Sequence, residues 1–305
     1  MLWRALRFQR LDLERGSAPF SIIKGMTVLD VLESTTAYFK KREIDSPRLN
    51  AEHLLAQVLG CKRIELYLEF ERDLGEAELA LLRERVRRRG QGEPLQHLLG
   101  TVEFCGRTFL CDKRALVPRP ETEQLVELLI SKFHFPNPNF RVLDVGTGSG
   151  VIVLTLAKEF SEAEIFAVDI SEDALALARE NAKRLGLNDR VDFKKSNLLE
   201  DIDETFDLIV ANLPYIAAQD RHILSREVLH DPEVALFSGV HGDELVRELI
   251  EQAPARLRPS GMLALEVGLG QSEALFSTLA GKNYRDICPE NDYSGRPRFL
   301  FARYG

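Results

Sequence analysis

From residue 141 onward, this 305-residue chain alternates between strand-like apolar runs and helix-like segments. Strand-like runs occupy 141–145, 164–169, 191–194, 206–211, 262–267, 284–288 and 298–303. Helical patterns occupy 151–160, 171–185, 243–256 and 271–280. Because parallel strands need long crossover connections, this alternation predicts an α/β fold, with a mostly parallel seven-stranded sheet and helices on both faces.

A smaller helical region precedes the sheet. Thr27 and Asp30 form a capping-box pattern ahead of a first helix, and Ser46-Pro47 and Gly60 bracket a second. We expect the Ser46 side chain to cap the second helix, and Gly60 to end it in the left-handed conformation. Two further helices are predicted near 64–71 and 76–89. The four helices would form a small bundle.

The pattern divides the chain into four parts. They are an N-terminal extension at 1–25, a helical domain at 26–92, a linker with a β-hairpin at 93–118, and the sheet domain at 119–305. The first 25 residues lack both the apolar run of a secretory signal and the periodicity of a core element, so we interpret them as an over-extended start. A transit peptide is the alternative.

Composition excludes several classes of protein. The net charge of −8 argues against an affinity that depends on neutralising many phosphates, so no direct sequence-specific binding of nucleic acid is expected. No apolar run approaches the roughly 18 residues of a membrane span. The four cysteines show no C-x-x-C pairing and no histidines at zinc-ligand spacing, which predicts reduced, structural thiols, no metal site and a cytoplasmic location.

A glycine-rich loop, Gly146-Thr147-Gly148-Ser149-Gly150, joins the first predicted strand of the sheet to its helix. The glycines allow a tight turn and the close approach of a ligand at a helix N-terminus. Asp169 ends the next strand, where its carboxylate can accept hydrogen bonds from the ribose hydroxyls of an adenosine. A nicotinamide dinucleotide would fit this pattern equally well. After the third strand, Asn197 precedes Leu198 and can hydrogen-bond an adenine ring.

A second motif, Asn212-Leu213-Pro214-Tyr215, directly follows the apolar run at 206–211. It is suited to holding an amide, whose nitrogen is a weak nucleophile because its lone pair is delocalised into the carbonyl. The Asn212 side-chain oxygen and the Leu213 backbone carbonyl can accept the two amide hydrogens and aim the lone pair. Pro214 restrains residue 213 to an extended backbone, and Tyr215 can stack on a planar group.

The two motifs resemble the S-adenosylmethionine loop of Rossmann-type methyltransferases and their Asn-Pro-Pro-Tyr motif, which grips a planar amine. The resemblance implies a Rossmann-like fold and S-adenosyl-L-methionine as cofactor. It implies cofactor contacts by Gly146, Thr147, Gly148, Ser149, Gly150, Asp169, Asn197, Leu198 and Asn212, and catalytic roles for Asn212, Pro214 and Tyr215. Adenine-N6 and glutamine-N5 methyltransferases share the second motif, so the motif itself leaves the acceptor open.

From Met26 to Tyr304 the chain resembles the bacterial release-factor glutamine methyltransferase (HemK/PrmC) family. The stretches that carry the resemblance are Pro94 to Gly100, Leu116 to Glu123, Asp231 to Glu233, Leu265 to Gly268 and Asp292 to Arg296. The resemblance implies methylation of N5 of the glutamine in the Gly-Gly-Gln loop of peptide-chain release factors. It places Arg119, Pro120 and Glu121 with residues 212–215 on the substrate side, and gives the helical domain the role of docking the release factor.

Leu213, Asn197 and the extra N-terminal segment depart from the family pattern, and three other functions are weighed against it. Leu213 replaces a proline, and Asn197 stands where related enzymes often have an acid. An adenine-N6 methyltransferase acting on DNA or RNA would need a basic recognition domain. A non-catalytic release-factor-binding module would not need an intact Asp169, Asn212 and Tyr215. A nicotinamide oxidoreductase would leave the Asn-Leu-Pro-Tyr motif unexplained.

Overall fold

The computed structural model describes residues 25–132 and 139–305. The predicted extension at 1–25 therefore lies, apart from Gly25, outside the described residues. Two compact units divide the chain after Gly100, with Arg226–His230 belonging to the first unit and Asp231–Gly305 to the second. Within the described ranges, no helix is long and apolar enough to cross a bilayer.

The first unit is helical. Its α-helices are α1 (Val28–Lys41), α2 (Pro47–Leu59), α3 (Glu76–Gly90) and α4 (Leu95–Leu99), and a 3-10 helix covers Arg63–Leu68. Apolar side chains from these elements form one core, in which Val31, Leu54, Leu55, Leu82 and Val86 are almost fully buried. Burial of this kind supplies most of the stability of short helices, because isolated helices of this length are marginal in water.

The helix boundaries of this unit confirm two sequence expectations. Thr27 Oγ1 accepts a hydrogen bond from the Asp30 N–H at 3.2 Å, and Asp30 Oδ2 accepts one from the Thr27 N–H at 3.1 Å, which completes the capping box. Gly60 ends α2 with a left-handed φ of 65°.

Two other expectations for this unit are wrong. Ser46 has a left-handed φ of 47° and its side chain makes no capping bond, whereas a side-chain cap requires an extended backbone. The predicted third helix is the 3-10 helix at Arg63–Leu68. Ile64 and Leu68 are 71% and 87% exposed, and within this segment only Leu66 is buried in the core. The segment therefore lacks the apolar face that would stabilise an α-helix.

The second unit contains a hairpin and a seven-stranded sheet. The hairpin strands are β1 (Thr101–Phe104) and β2 (Arg107–Leu110), and the sheet strands are β3 (Arg141–Val145), β4 (Glu164–Asp169), β5 (Val191–Lys195), β6 (Phe206–Asn212), β7 (Leu257–Glu266), β8 (Tyr284–Asn291) and β9 (Pro297–Tyr304). The sheet order is β5-β4-β3-β6-β7-β9-β8, and only the pairs that involve β9 are antiparallel.

The described part of this unit contains five α-helices. They are α5 (Pro120–Lys132), α6 (Val151–Glu159), α7 (Glu172–Leu185), α8 (Glu244–Gln252) and α9 (Ser272–Ala280). Successive strand residues point to opposite faces of the sheet, so β6 contributes Leu208 and Val210 to one core and Ile209 and Ala211 to the other. Both faces of the sheet are therefore covered, as its continuous apolar strands require.

The chain order reverses on either side of β3. Val145 at the end of β3 pairs with Val168 of β4 and with Ala211 of β6. Ligands of open α/β sheets bind beyond the carboxyl ends of the strands at such a reversal. The register therefore brings the loop at 146–150, Asp169 and Asn212 to the same edge of the sheet.

Candidate active site

The glycine loop begins where β3 ends and turns directly into α6. Gly146, Gly148 and Gly150 have left-handed φ values of 74°, 56° and 82°, a conformation that costs other residues free energy. A Cβ on Gly146 would lie 2.8 Å from Leu213 Cδ2. Only glycine therefore lets the loop pass beneath the Asn-Leu-Pro-Tyr segment.

The backbone N–H groups of this loop are largely used by the protein itself. The Gly146 and Thr147 N–H groups donate to the Val168 carbonyl at 2.9 and 3.0 Å. The Gly148 N–H donates to Asp169 Oδ2 at 2.9 Å. A pyrophosphate site needs such N–H groups to face the ligand. This loop is consequently better suited to a ligand without phosphate than to a dinucleotide.

Asp169 is fastened by two backbone groups and retains capacity for a ligand. Besides the Gly148 contact, its Oδ1 accepts from the Ser171 N–H at 2.9 Å. A carboxylate has about four lone-pair positions, so further hydrogen bonds can be accepted. Burial raises the pKa of Asp169, while the backbone hydrogen bonds oppose that shift. Ser171, and not Asp169, caps α7, because its hydroxyl accepts from the Ala174 N–H.

Asp144 is a second carboxylate beneath the loop. Its side chain is completely buried, and Oδ2 accepts from the Thr147 hydroxyl at 2.7 Å. Burial raises the pKa of Asp144 to about 7, and the neighbouring Asp169 carboxylate adds to that shift.

Asn212 ends β6, and its amide is held by α5. Its Nδ2 donates to Thr122 Oγ1 at 3.0 Å, which leaves Oδ1 as an acceptor. Leu213 is 5% exposed and packs over Gly146. The Asn212 amide is therefore positioned directly beside the glycine loop.

Tyr215 lies against Arg298 of β9. The Tyr215 hydroxyl accepts from Arg298 Nη2 at 3.1 Å, and the guanidinium carbon is 4.9 Å from the ring centroid. Burial raises the pKa of Tyr215. The Gln271 amide fixes the Tyr215 backbone by donating to its carbonyl at 3.1 Å. The tyrosine is thus held by its ring, its hydroxyl and its main chain.

The loop, Asp169 and Asn212 line one cavity of about 240 Å³ at the strand ends. Of the residues proposed from sequence, Gly146, Thr147, Gly148, Ser149, Asp169, Asn197, Leu198, Asn212, Leu213 and Pro214 line it. Gly150, Arg119, Pro120, Glu121 and Tyr215 are not among the described residues that do so.

Arg119 forms an ion pair within this unit. Its Nη2 lies 2.7 Å from Oδ2 of Asp231, a carboxylate whose side chain is fully buried. Asp231 Oδ1 also accepts from the Val117 N–H at 3.3 Å. The pair therefore fixes the segment before Pro232 and Phe237, two residues that line the cavity. A direct contact of Arg119 with substrate stays a prediction.

Sequence reasoning assigned no role to several residues around the cavity. Thr122, Glu266 and Arg298 form a buried group behind Asn212 and Tyr215, although the first two lie in stretches that carried the family resemblance. Asn181 of α7 was not singled out. Its amide bonds the Ser149 and Leu110 carbonyls at 2.9 and 3.1 Å, tying the hairpin to the glycine loop. A lone asparagine in an amphipathic helix gives no local signal of this.

This sheet, with a cofactor-type loop and a planar-amine motif meeting at its reversal point, defines a Rossmann-like methyltransferase. A family model described as a methyltransferase domain matches residues 136–276, and one described as the PrmC N-terminal domain matches residues 30–100. The catalytic domain of hMettl16, solved with a MAT2A 3′UTR hairpin, shares the fold at a TM-score of 0.52 and 18% identity, covering 75% of this chain and 82% of that one.

Curated relatives define the particular family. The release factor glutamine methyltransferase of Rhodopirellula baltica is 40% identical over 282 residues, covering 90% of this chain and 95% of the relative. The protein of the same description from Geobacter sulfurreducens is 38% identical, covering 92% and 97%. The chain belongs to the release factor glutamine methyltransferase family, which confirms the resemblance found in its sequence.

Proposed function

We propose that this protein transfers a methyl group from S-adenosyl-L-methionine to N5 of the glutamine in the Gly-Gly-Gln loop of peptide-chain release factors. The observation that carries the proposal is the meeting of Asn212-Leu213-Pro214 with the glycine loop in one cavity. Family membership supplies the substrate class. Release factors act in the cytoplasm, where we place this protein as well.

The residues present fit S-adenosyl-L-methionine. The loop N–H groups already donate to protein acceptors, so the loop does not call for a phosphate. Asp169 keeps lone pairs for ribose hydroxyls, and the side chain of Asn197 can bond the adenine. When bound, the cofactor supplies a methyl group made electrophilic by its sulfonium sulfur. The carboxylate of Asp169, which lines the cavity, favours a ligand that carries positive charge.

The chain's own contribution is to position the acceptor amide and raise its electron density. Asn212 Oδ1 and the Leu213 carbonyl accept one N–H hydrogen each, which orients the nitrogen lone pair. Pro214 keeps residue 213 extended so that its carbonyl faces the acceptor. Tyr215, held by Arg298, flanks the planar amide. The nitrogen loses a proton once it carries the new methyl group, so no strongly basic side chain is required.

The helical unit is proposed to dock the release factor. Ile64 and Leu68 of its 3-10 helix expose most of their apolar surface, and the same element carries the half-exposed Tyr67. Apolar and aromatic side chains of this kind are enriched in protein interfaces. We propose Arg119, Pro120 and Glu121 as contacts near the substrate loop.

The test is incubation with methyl-labelled S-adenosyl-L-methionine and, in parallel, purified release factor, DNA or RNA. The proposal expects label only on release factor, and none on a release factor whose loop glutamine is replaced by glutamate. Label on adenine in the nucleic acid would instead establish the adenine-N6 alternative. Absence of label with binding to release factor would indicate a non-catalytic module.

A further inference from the structure

A buried chain of hydrogen bonds lies behind Asn212. Thr122 Oγ1 accepts from Asn212 Nδ2 at 3.0 Å and donates to Glu266 Oε2 at 2.8 Å. Arg298 Nη2 donates to Glu266 Oε1 at 3.1 Å and to the Tyr215 hydroxyl at the same distance. The chain thus links the two ends of the Asn-Leu-Pro-Tyr motif through three residues of α5, β7 and β9.

We propose that Thr122 and Glu266 are positioning residues that set the direction of the Asn212 amide, so that its oxygen faces the acceptor nitrogen. The proposal rests on the proposed function. Each acts on the acceptor amide through Asn212, although Thr122 also lines the cavity.

The direction of the Asn212 amide is set by which of the neighbouring groups can donate. Arginine only donates and an ionised carboxylate only accepts, so while Glu266 is ionised both of its oxygens are acceptors, and Arg298 donates to Oε1. The single hydroxyl hydrogen of Thr122 must then go to Glu266. Toward Asn212 the Thr122 oxygen can then only accept, so the Asn212 NH2 group donates to it. The Asn212 amide oxygen therefore faces the ligand. This orientation of the amide follows from the hydrogen-bond network.

Position and burial support a role in the reaction. Asn212 and Glu266 are register partners at the carboxyl ends of β6 and β7, and Thr122 lies in the first turn of α5. Thr122, Glu266 and Arg298 are 3%, 1% and 6% exposed. A buried ion pair is often no more stabilising than apolar residues of the same volume. Its presence at this edge is explained by the direction that it imposes on Asn212.

The first test compares Thr122→Val, which removes the hydroxyl at nearly constant volume, with Thr122→Ser, which restores it. Thr122→Val should lower kcat for glutamine methylation about tenfold or more, less than the roughly 100- to 1000-fold cost of removing a direct preorganised contact, with an unchanged Kd for S-adenosyl-L-methionine. Thr122→Ser should recover most of the rate. Thr155→Val is the matched control, because Thr155 is equally buried and its hydroxyl donates to the Val151 carbonyl of its own helix.

The second test is Glu266→Gln. Arg298 can only donate, so the glutamine oxygen would face Arg298 and its NH2 group would face Thr122. The Thr122 hydroxyl would then donate to Asn212 and favour the reversed amide. We expect a loss of kcat similar to that of Thr122→Val, with the folded protein and its cofactor affinity preserved.

Provided that the wild-type protein methylates release factor, three results would overturn the proposal. They are wild-type kcat in both Thr122→Val and Glu266→Gln, equal loss in Thr122→Ser, or a fall in cofactor affinity and melting temperature that accounts for the lost rate. An inactive wild-type protein would contradict the proposed function instead, so the two failures are distinguishable.

Discussion

At the scale of single residues, the polar side chains around the cavity are held by the protein before any ligand binds. Asp169 is fixed by the N–H groups of Gly148 and Ser171, and Asn212 by Thr122. Each keeps lone pairs for a ligand. Such preorganisation reduces the reorganisation that must accompany binding or reaction.

Asp169→Ala should weaken the binding of S-adenosyl-L-methionine by about 1–3 kcal/mol, because ribose hydroxyls would lose a charge-assisted hydrogen bond. Isothermal calorimetry measures the change, and Asp192→Ala serves as the control because Asp192 is an exposed carboxylate of β5. An unchanged Kd in a folded Asp169→Ala protein would remove Asp169 from the cofactor site.

The reaction rate should also depend on pH through Glu266. Burial raises the pKa of Glu266 to about 7; Glu121 adds to the shift, and hydrogen bonds from Thr122 and Arg298 oppose it. Below this pKa the protonated carboxyl can donate to Thr122, whose hydroxyl then turns toward Asn212. We therefore expect kcat to rise as the pH increases from about 6 to 8.

A kcat profile for Glu266→Gln separates this effect from other groups. Asp144 has a raised pKa of about 7 as well, but it bonds Thr147 under the loop and has no part in the Thr122 network. The rise of kcat near neutral pH should be absent from the profile of Glu266→Gln. Its persistence there would assign the rise to Asp144 or to another group.

Residues that follow apolar strands are predictable from sequence, and residues that meet only in space are not. Gly146, Asp169 and Asn212 each stand directly after such a run, so parallel strands must bring them together. Thr122, Glu266 and Arg298 come from three distant elements. Their pairing depends on the sheet order, which no local pattern in the sequence specifies.

At the scale of elements, the inner strands β3, β4 and β6 were foreseeable because each carries an apolar run that is buried on both faces of the sheet. The helix α5 was not. It begins with Pro120, Glu121 and three further polar residues, and its first turn lies in a stretch singled out only for family resemblance. Its buried stripe of Leu125, Val126 and Leu129 becomes visible as such only against the sheet.

The Gly146→Ala variant tests how closely the glycine loop packs against Leu213. Gly146→Ala should lower the free energy of unfolding by more than the roughly 1–2 kcal/mol of left-handed strain, because its Cβ would lie 2.8 Å from Leu213. Gly186→Ala is the matched control, since Gly186 has a similar φ of 68° and no atom within 4 Å of its added Cβ. Equal losses in denaturant unfolding would mean that Leu213 yields without cost.

At the scale of the whole molecule, the chain combines a helical unit with a methyltransferase unit, and each matches a family model. The sequence predicted both from helix signals and from the strand–helix alternation. The site lies within the second unit, where the chain order reverses at β3. We propose that the second unit carries out the methyl transfer and that the helical unit docks the release factor.

In the proposed reaction, Asn212 holds the glutamine amide that receives the methyl group. The most direct measurement is tandem mass spectrometry of the release-factor loop peptide after reaction with wild-type and Asn212→Ala protein. With wild-type protein we expect a methyl group on the glutamine side chain. With Asn212→Ala we expect the rate to fall about 100-fold or more, at unchanged cofactor affinity. A near-wild-type rate in Asn212→Ala, or methylation at another residue, would contradict the account.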